Sequence, residues 1–476
     1  MKTVAALVSI ALLATLAVAR MRQSANQSLV VHEWGTFTTL QDETGESIGG
    51  INTDDEPVPG FVHRLASWFF IPRDGSVSPY STFKVVASGP NPGRCHLDVK
   101  MRLETPVLYF YPPSGGTVPP FDVHVMFRGG WLTEFYPDAA AHAPSFDAAH
   151  PDRLFAHNDS YISRSVFERG FGHLRPETEG DLQWKGVQLV ADGSGPDTQA
   201  KVWLAPRAVP ASMLQTAEGE REKFLFYRGV GNAASALRVV RDESQHTLEI
   251  RDAATNSSAA SAKIAAAWLV EVLADGRCAF RSLGALPSGR QPRATVPAQF
   301  FPADFSDLNL VQLQTEMRGA LIRAGLFPPE ADALLRTWEV SYFKSPGQRL
   351  FYLCPAAEVE ALLPLKVSVP CALTRVMLGR VELVTPEQRR ILAGIASGLS
   401  TLQATKDLAK PKTGQVGDLQ FTHPENVFLP LESQPHPDEA LGRFRNALLL
   451  DEEKRRPTEL LHAYIHEHGF EPYRVQ

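Results

Sequence analysis

Residues 30–38, with the sequence VVHEWGTFT, constrain the fold more than any other part of the chain. Their β-branched and aromatic side chains predict a β-strand. Because side chains alternate between the two faces of a strand, Glu33 shares a face with Val31 and Phe37. A carboxylate on an apolar face must find a partner or change its pKa. Glu33 is therefore the first candidate for a residue with a chemical role.

The length and charge of the chain describe an ordinary globular protein. The 476 residues carry a formal net charge of -6, and their Lys and Arg residues are spread along the chain. A chain of this length can form two or three domains, each with its own core. The absence of basic stripes in the sequence argues against nucleic acid as a partner.

The first residues have the features of a signal peptide. Lys2 precedes an apolar run at 4–18, and the small residues of AVA at 17–19 form a cleavage site. We predict that 1–19 are removed and that the mature protein is exported to the periplasm or the extracellular space, with no membrane span. Arg20 follows the apolar run directly, where positive charge opposes translocation, so an uncleaved anchor is the alternative.

Residues 20–300 have the pattern of β-strands separated by turns rich in Pro and Gly. Strands are expected at 30–38, 61–71, 83–87, 99–111, 121–127, 131–136, 182–190, 223–227, 247–251 and 265–273. Asp275 and Gly276 signal a tight hairpin after the last of them. We predict one β-sandwich domain in this range, or two in tandem.

The pattern changes near residue 300. Residues 301–409 predict a mixed region, with helices at 308–324, 329–342 and 385–408 and strands at 348–353 and 373–384. Thr385 and Gln388 have the spacing of a capping box around Pro386. Residues 410–476 predict a connector and two helices, at 439–450 and 457–467. The predicted fold class is mainly β with an α+β C-terminal part.

Three carboxylates and one imidazole are the candidate catalytic residues: Glu33, Glu104, Glu339 and His124. His124 shares a strand face with Asp122, and a carboxylate can orient an imidazole in that arrangement. Acids beside aromatic rings suit sugar chemistry, because ring faces stack on pyranose C–H surfaces. The candidate substrate-binding residues therefore flank the acids, and they are His32, Trp34, Trp338 and Tyr342. Buried ion pairs and domain packing are the structural alternatives for these residues.

A polar loop at 138–159 contains His142, His150 and His157 together with the carboxylates of Asp147, Asp152 and Asp159. Imidazoles and carboxylates are ligands for zinc, copper and iron. The spacings of eight and seven residues between the histidines match no closed metal site, so a polar loop without metal is the alternative. The sequence identifies no cofactor.

Four cysteines are present, and the first expectation is a disulfide between Cys354 and Cys371, which flank one compact segment. Four buried free thiols are the alternative.

Four segments of the sequence resemble one protein family. They are HEWGTFT at 32–38, ETPVLYFY at 104–111, TWE at 337–339 and LGRVELVTPE at 378–387. Together they are similar to a family of exported bacterial proteins of unknown function that open with the HEWGTFT stretch. The resemblance spans nearly the whole mature chain, and it implies no activity, cofactor or catalytic residue.

The leading hypothesis from the sequence is a hydrolase-like enzyme that acts on a carbohydrate or cell-envelope substrate through carboxylate acid–base chemistry. One alternative is a non-catalytic envelope binding or scaffold protein, in which the same acids form buried ion pairs. A second alternative is a metal-binding protein. An enzyme predicts Glu33 in a concave pocket without an arginine partner, whereas a scaffold predicts Glu33 bound to an arginine. The sequence leaves the substrate and the oligomeric state undetermined.

Overall fold

The structure is a computed structural model that describes residues 28–54, 56–66, 69–72, 94–155, 170–253, 262–289, 291–398 and 437–476. The predicted leader, the expected strand at 83–87, His157 and nearly all of the predicted connector lie outside the described residues.

Twenty-one strands are found in the described part of the chain. They are β1 Leu29–Gln41, β2 Thr53–Asp54, β3 His63–Arg64, β4 Ile71–Pro72, β5 Met101–Tyr111, β6 Phe121–Arg128, β7 Gly130–Tyr136, β8 Ala140–His142, β9 Leu154–Phe155, β10 Glu179–Val190, β11 Met213–Gln215, β12 Arg221–Glu222, β13 Leu225–Gly231, β14 Leu237–Asp242, β15 Thr247–Asp252, β16 Ile264–Val272, β17 Cys278–Leu286, β18 Ala294–Pro297, β19 Gly347–Leu353, β20 Leu365–Val367 and β21 Cys371–Leu383.

The α-helices of the described residues lie mostly after residue 300. They are α1 Lys201–Arg207, α2 Asn309–Arg323, α3 Pro328–Thr337, α4 Ala356–Leu362, α5 Pro386–Ala396, α6 Arg445–Arg455 and α7 Glu459–Glu467. Short 3-10 segments occur at Pro302–Asp304 and Pro437–Phe444, and a π-helical segment occurs at Glu339–Lys344.

The predicted first strand lies in the middle of a large mixed sheet. The strand order along the main path of the sheet is β12-β11-β10-β7-β13-β5-β1-β21-β19-β16-β17. β1 pairs with β5 in antiparallel orientation and with β21 in parallel orientation. The sheet therefore combines strands from residues 20–300 with strands from residues 301–409.

Both faces of β1 are covered, because helices and loops pack on each side of the sheet. Val31 and Phe37 belong to one large core cluster, and Trp34 belongs to a second cluster with Tyr342. The predicted fold class is confirmed: the protein is mainly β, with a large sheet and a C-terminal region of helices and strands. No helix of the described residues is long and apolar enough to cross a membrane.

Two predictions from short sequence motifs are confirmed, namely the capping box at Thr385 and the hairpin at Gly276. The Thr385 hydroxyl accepts a hydrogen bond from the backbone N–H of Gln388, as the capping box requires. The hairpin at Asp275 and Gly276 joins β16 to β17.

Other sequence predictions are wrong in detail. The expected strand at 61–71 is mostly turns with only short pairings, because its aromatic residues fill the core from a loop. The expected helix at 329–342 ends at Thr337, where the π-helical segment follows. The expected helix at 439–450 is a 3-10 segment followed by α6.

The expected disulfide between Cys354 and Cys371 is also wrong, because all four cysteines are free thiols. The backbone N–H of Cys354 bonds to the carbonyl of Met377, which lies six residues beyond Cys371 on β21. At about 3.3 Å per residue, this places the two cysteines roughly 20 Å apart.

Candidate functional site: a buried arginine cluster

Glu33 lies inside the protein and is held by two partners. The carboxylate is fully buried, and its Oε2 accepts a hydrogen bond from Nε of Arg375 at 2.6 Å. The hydroxyl of Tyr227 donates to the other carboxylate oxygen. Burial and the charge of Glu33 raise the pKa of Tyr227 well above its usual value. This is the arginine partner that the scaffold hypothesis expects of Glu33.

His32 and Trp34 are buried on the opposite face of β1. His32 Nδ1 lies 2.8 Å from Oε2 of Glu330, and its ring packs on Phe327 with 4.4 Å between centroids. The Trp34 side chain has no exposed surface. Neither residue is positioned to contact a substrate at the surface.

Glu104, Trp338 and Tyr342 are brought together, on the face of the sheet away from Glu33. The hydroxyl of Tyr342 donates to Oε2 of Glu104 at 2.7 Å, and the Thr38 hydroxyl donates to the same oxygen at 2.9 Å. The Trp338 ring stacks on Tyr342 with 5.0 Å between centroids. The guanidinium of Arg380 lies 4.2 Å from the centre of the Tyr342 ring, so residues from all four of the segments quoted above surround the Tyr342–Glu104 pair.

Glu339 lies apart from the other two candidate acids. Its exposed carboxylate is 2.6 Å from Nζ of Lys344 and lines a surface cavity of about 290 Å³ together with Arg336 and Asp332. The carboxylates of Glu33, Glu104 and Glu339 therefore do not form one acid–base site.

His124 and His142 both contact Asp181, which the sequence analysis did not identify. His124 Nε2 is 3.0 Å from Oδ1 of Asp181, and His142 Nδ1 is 3.4 Å from Oδ2. His124 and Asp122 lie two residues apart on β6, and they are separated from Glu104 because β6 pairs with β10 and β20 rather than with β5.

The predicted metal ligands are not brought together. His150 pairs with Asp147 at 3.0 Å, whereas His142 contacts Asp181 on another strand. His157 lies outside the described residues. Within the ranges that the structure describes, no group of three or more His, Cys, Asp or Glu side chains is arranged to hold a metal ion.

A buried group of charged side chains with unsatisfied polar atoms is the candidate functional site. Its members, here called the arginine cluster, come from β2, β3, β5, β7 and β13: Asp54, Arg64, Arg102, Glu134 and Arg228. The strand register explains why they meet. Glu134 on β7 lies opposite Arg64 on one side and opposite Arg228 on the other. Arg102 belongs to β5, the next strand beyond β13.

The ion pairs in this cluster are mostly loose. Nη1 of Arg228 is 3.5 Å from Oδ1 of Asp54 and 3.8 Å from Oε2 of Glu134. Nε of Arg102 is 3.8 Å from Oε1 of Glu104. Charge-assisted pairs in direct contact are usually about 2.7–2.9 Å apart. Only the bond from Nε of Arg64 to Oε1 of Glu134, at 2.8 Å, has that length among these contacts.

Several polar atoms of the cluster are buried without a hydrogen-bond partner. They are Nε and Nη1 of Arg102, Nη2 of Arg228 and Oε2 of Glu134. The three side chains are between 1 and 2 % exposed. More than nine in ten buried polar groups in proteins are hydrogen-bonded, so such atoms call for an explanation. Both donors and an acceptor are left unsatisfied in one small region.

The charges of the cluster shift its pKa values in different directions. Burial, reinforced by the charge of Glu134, raises the pKa of Asp54. Burial alone would raise the pKa of Glu134, but the charges of Arg64 and Arg228 outweigh it and lower that pKa. Burial lowers the pKa of Arg102, and the charge of Arg228 adds to this effect.

Backbone strain lies next to the cluster. Thr105 has a φ of 47°, a left-handed conformation that is unusual for a β-branched residue, and its hydroxyl accepts a hydrogen bond from Nε of Arg228 at 3.2 Å. It lies where β5 has one extra residue opposite Gly35. Strained residues of this kind cost roughly 1–3 kcal/mol and concentrate at functional sites.

The cluster was not predicted from the sequence, because its members come from five separate segments of the chain. Residues 99–104 alternate between apolar and charged side chains, a pattern typical of a sheet with one face in water. In the structure Arg102 and Glu104 on the charged face are buried too. The available signal was the recurrence of a single charged residue inside apolar strands, at Glu134 and Arg228.

The fold and the site together define a mainly β protein with a buried arginine cluster at the centre of its sheet. No protein-family model matches the sequence, and no curated protein is significantly similar to it. Among solved structures, the chain is similar to the Fcho1 Mu homology domain from Danio rerio with bound Eps15 peptide, at 7 % sequence identity. That match covers 76 % of this chain and 100 % of the other, with a TM-score of 0.27. A TM-score this low supports no conclusion about function.

Proposed function

We propose that this protein is a binding protein that holds a small oxyanion in the arginine cluster. The observation that carries the proposal is the set of buried guanidinium nitrogens, on Arg102 and Arg228, that have no hydrogen-bond acceptor. A buried donor without an acceptor costs about 1–3 kcal/mol, and more when it is charged. An anion placed between these side chains would remove that cost.

The chemistry of the donors favours an oxyanion. A guanidinium group presents its N–H donors in a planar fork that matches the oxygens of carboxylates and phosphates. The loose contacts of Arg228 with Asp54 and Glu134 leave its nitrogens able to take a closer partner. The proposed ligand comes from the cell envelope or its surroundings, in line with the predicted export of the chain.

The position of Glu33 supports binding over catalysis at the first strand. Its carboxylate is fully buried and already bonded to Arg375 and Tyr227, so a substrate at the surface does not reach it. Glu33 is a structural residue in this proposal.

Calorimetry on the purified, extensively dialysed protein tests the proposal. Inorganic phosphate, sulfate and acetate are titrated into the wild type and into Arg102→Lys, which keeps the charge but loses the fork. We expect at least one anion to bind the wild type and to bind Arg102→Lys at least tenfold more weakly.

Arg293→Lys is the matched control, because Arg293 is equally buried but bonds to Asp252 and to the carbonyl of Ala262. Both variants should lose stability, and only Arg102→Lys should lose affinity. The proposal is overturned if the wild type binds none of the anions at millimolar concentration, or if Arg102→Lys binds like the wild type.

A hydrolase is the second candidate, and one observation favours it. Asp54 and Glu134 both approach the same nitrogen of Arg228, and their pKa values are shifted in opposite directions. Carboxylate pairs with separated pKa values supply an acid and a base in many enzymes. Hydrolysis of an ester or glycoside by the wild type, abolished in Asp54→Asn with folding retained, would favour this candidate over simple binding.

A further inference from the structure

We infer that the arginine cluster selects an oxyanion that carries its own O–H group, a protonated phosphate, and that Glu134 is the residue that determines this specificity. The inference rests on the proposed function and assigns a ligand class to it. It follows from the unsatisfied atoms of the cluster, which include an acceptor as well as donors.

The donors of the cluster require oxygens from the ligand. Nε and Nη1 of Arg102 and Nη2 of Arg228 are buried without a hydrogen-bond acceptor, and Nε of Arg102 reaches Glu104 only at 3.8 Å. Phosphate and sulfate have similar shape and both offer such oxygens, so the arginines alone do not separate the two anions.

The unsatisfied acceptor of the cluster distinguishes phosphate from sulfate. Oε2 of Glu134 is buried and accepts no hydrogen bond, while Oε1 is occupied by Arg64 at 2.8 Å. The neighbouring arginines lower the pKa of Glu134, so its carboxylate is ionised at neutral pH and can only accept. A ligand beside Oε2 must therefore donate a hydrogen.

Protonated phosphate has that hydrogen and sulfate lacks it. A phosphate O–H donates to Oε2 while the remaining phosphate oxygens accept from the arginines. A sulfate in the same place would set one of its oxygens against the carboxylate with no proton between them. Sites built to bond a ligand O–H reject analogues without one by large factors, because the buried polar atom of the site is then left unpaired.

Four charged side chains of the cluster act on Glu134. Arg64 on β3 and Arg228 on β13 hold it ionised, while Asp54 on β2 and Arg102 on β5 are its other charged neighbours. Because Asp54 has a raised pKa, it adds less negative charge near the ligand than an ordinary aspartate would in mildly acidic solution.

Competitive calorimetry at pH 6 tests the inference with inorganic phosphate, methyl phosphate and sulfate as the probes. At this pH a phosphate monoester is partly protonated, because its second pKa is about 6. We expect inorganic phosphate to bind the wild type at least about a hundredfold more tightly than sulfate. Binding of methyl phosphate as well supports a monoester as the ligand, whereas binding of inorganic phosphate alone supports the free anion.

The variant Glu134→Gln presents an N–H donor as well as a carbonyl to the ligand. We expect its preference for phosphate over sulfate to fall to within about threefold, because the amide can donate to a sulfate oxygen. This ratio is measured within one protein, so partial loss of folded material does not affect it. Arg293→Lys should keep the wild-type ratio.

Three negative results of the calorimetry have different meanings. If phosphate and sulfate bind the wild type equally well, the specificity inference is overturned and anion binding stands. If Glu134→Gln keeps the full preference, Glu134 is not the residue that determines it. If no anion binds the wild type, the proposed function is wrong as well.

Discussion

Removing Arg375 tests whether the acid of the first strand is structural. Glu33 is fully buried, and Arg375 Nε lies 2.6 Å from its carboxylate. The substitution Arg375→Met leaves the carboxylate buried with Tyr227 as its remaining hydrogen-bond partner. Breaking one side of a buried ion pair typically costs about 3–5 kcal/mol, because an uncompensated charge is left in a medium of low polarity.

The double variant Glu33→Met/Arg375→Met removes both charges. Its free energy of unfolding separates the cost of an unpaired buried charge from the net contribution of the ion pair. Replacing both partners by apolar side chains of similar size is often close to neutral. We therefore expect the double variant to recover most of the stability that the single variant loses. The loss in Arg375→Met should also shrink in acid, where the stranded carboxylate takes up a proton.

Urea unfolding followed by tryptophan fluorescence measures these free energies. Glu339→Gln is the matched control, because Glu339 pairs with Lys344 at the surface and both side chains are about half exposed. Exposed pairs contribute no more than about 1 kcal/mol. A single Arg375→Met variant within 1 kcal/mol of the wild type, or a double variant no more stable than the single one, would refute the reasoning.

Two further predictions concern buried positions elsewhere. Burial lowers the pKa of His96 from 6.5 to about 4, so its neutral form stabilises the fold above pH 6.5, and this contribution is lost as the pH falls towards 4. Between pH 7 and pH 4 the wild type should lose roughly 3 kcal/mol more unfolding free energy than His96→Gln, and equal losses in urea titrations would contradict this. Gly35→Ala should destabilise by about 1–3 kcal/mol, because the added Cβ would lie 2.9 Å from Cα of Pro106. Gly394→Ala, in an open position on α5, should be neutral or stabilising, and urea unfolding measures both glycine variants.

Much of the fold could be predicted because its signals are local. The capping box at Thr385 and the hairpin at Gly276 each depend on a few consecutive residues, and both occur where predicted. The prediction of a strand at 61–71 was wrong because the aromatic residues there match a strand pattern but pack into the core from turns. Apolar periodicity reports burial, and burial does not by itself require a strand.

Less of the candidate site than of the fold could be predicted from the sequence. The burial of Glu33 was expected, but nothing in the sequence indicated that Arg375 would pair with it, because parallel pairing of β1 with β21 joins residues more than three hundred positions apart. Glu104 and Tyr342 were identified separately, and only the tertiary structure shows that they are hydrogen-bonded. The long-range register of the sheet decides these contacts.

The sequence by itself determined that the chain is mainly β, that helices and strands mix after residue 300, and that a carboxylate in the first strand faces the interior. These conclusions depend on side-chain alternation and on local turn and cap chemistry, which act over a few residues. The tertiary structure alone decided that a face with the pattern of a solvated surface is buried, and that Arg102, Glu134 and Arg228 meet there. The physical reason is that strand order and the covering of each face depend on the packing of distant segments, which no local pattern encodes.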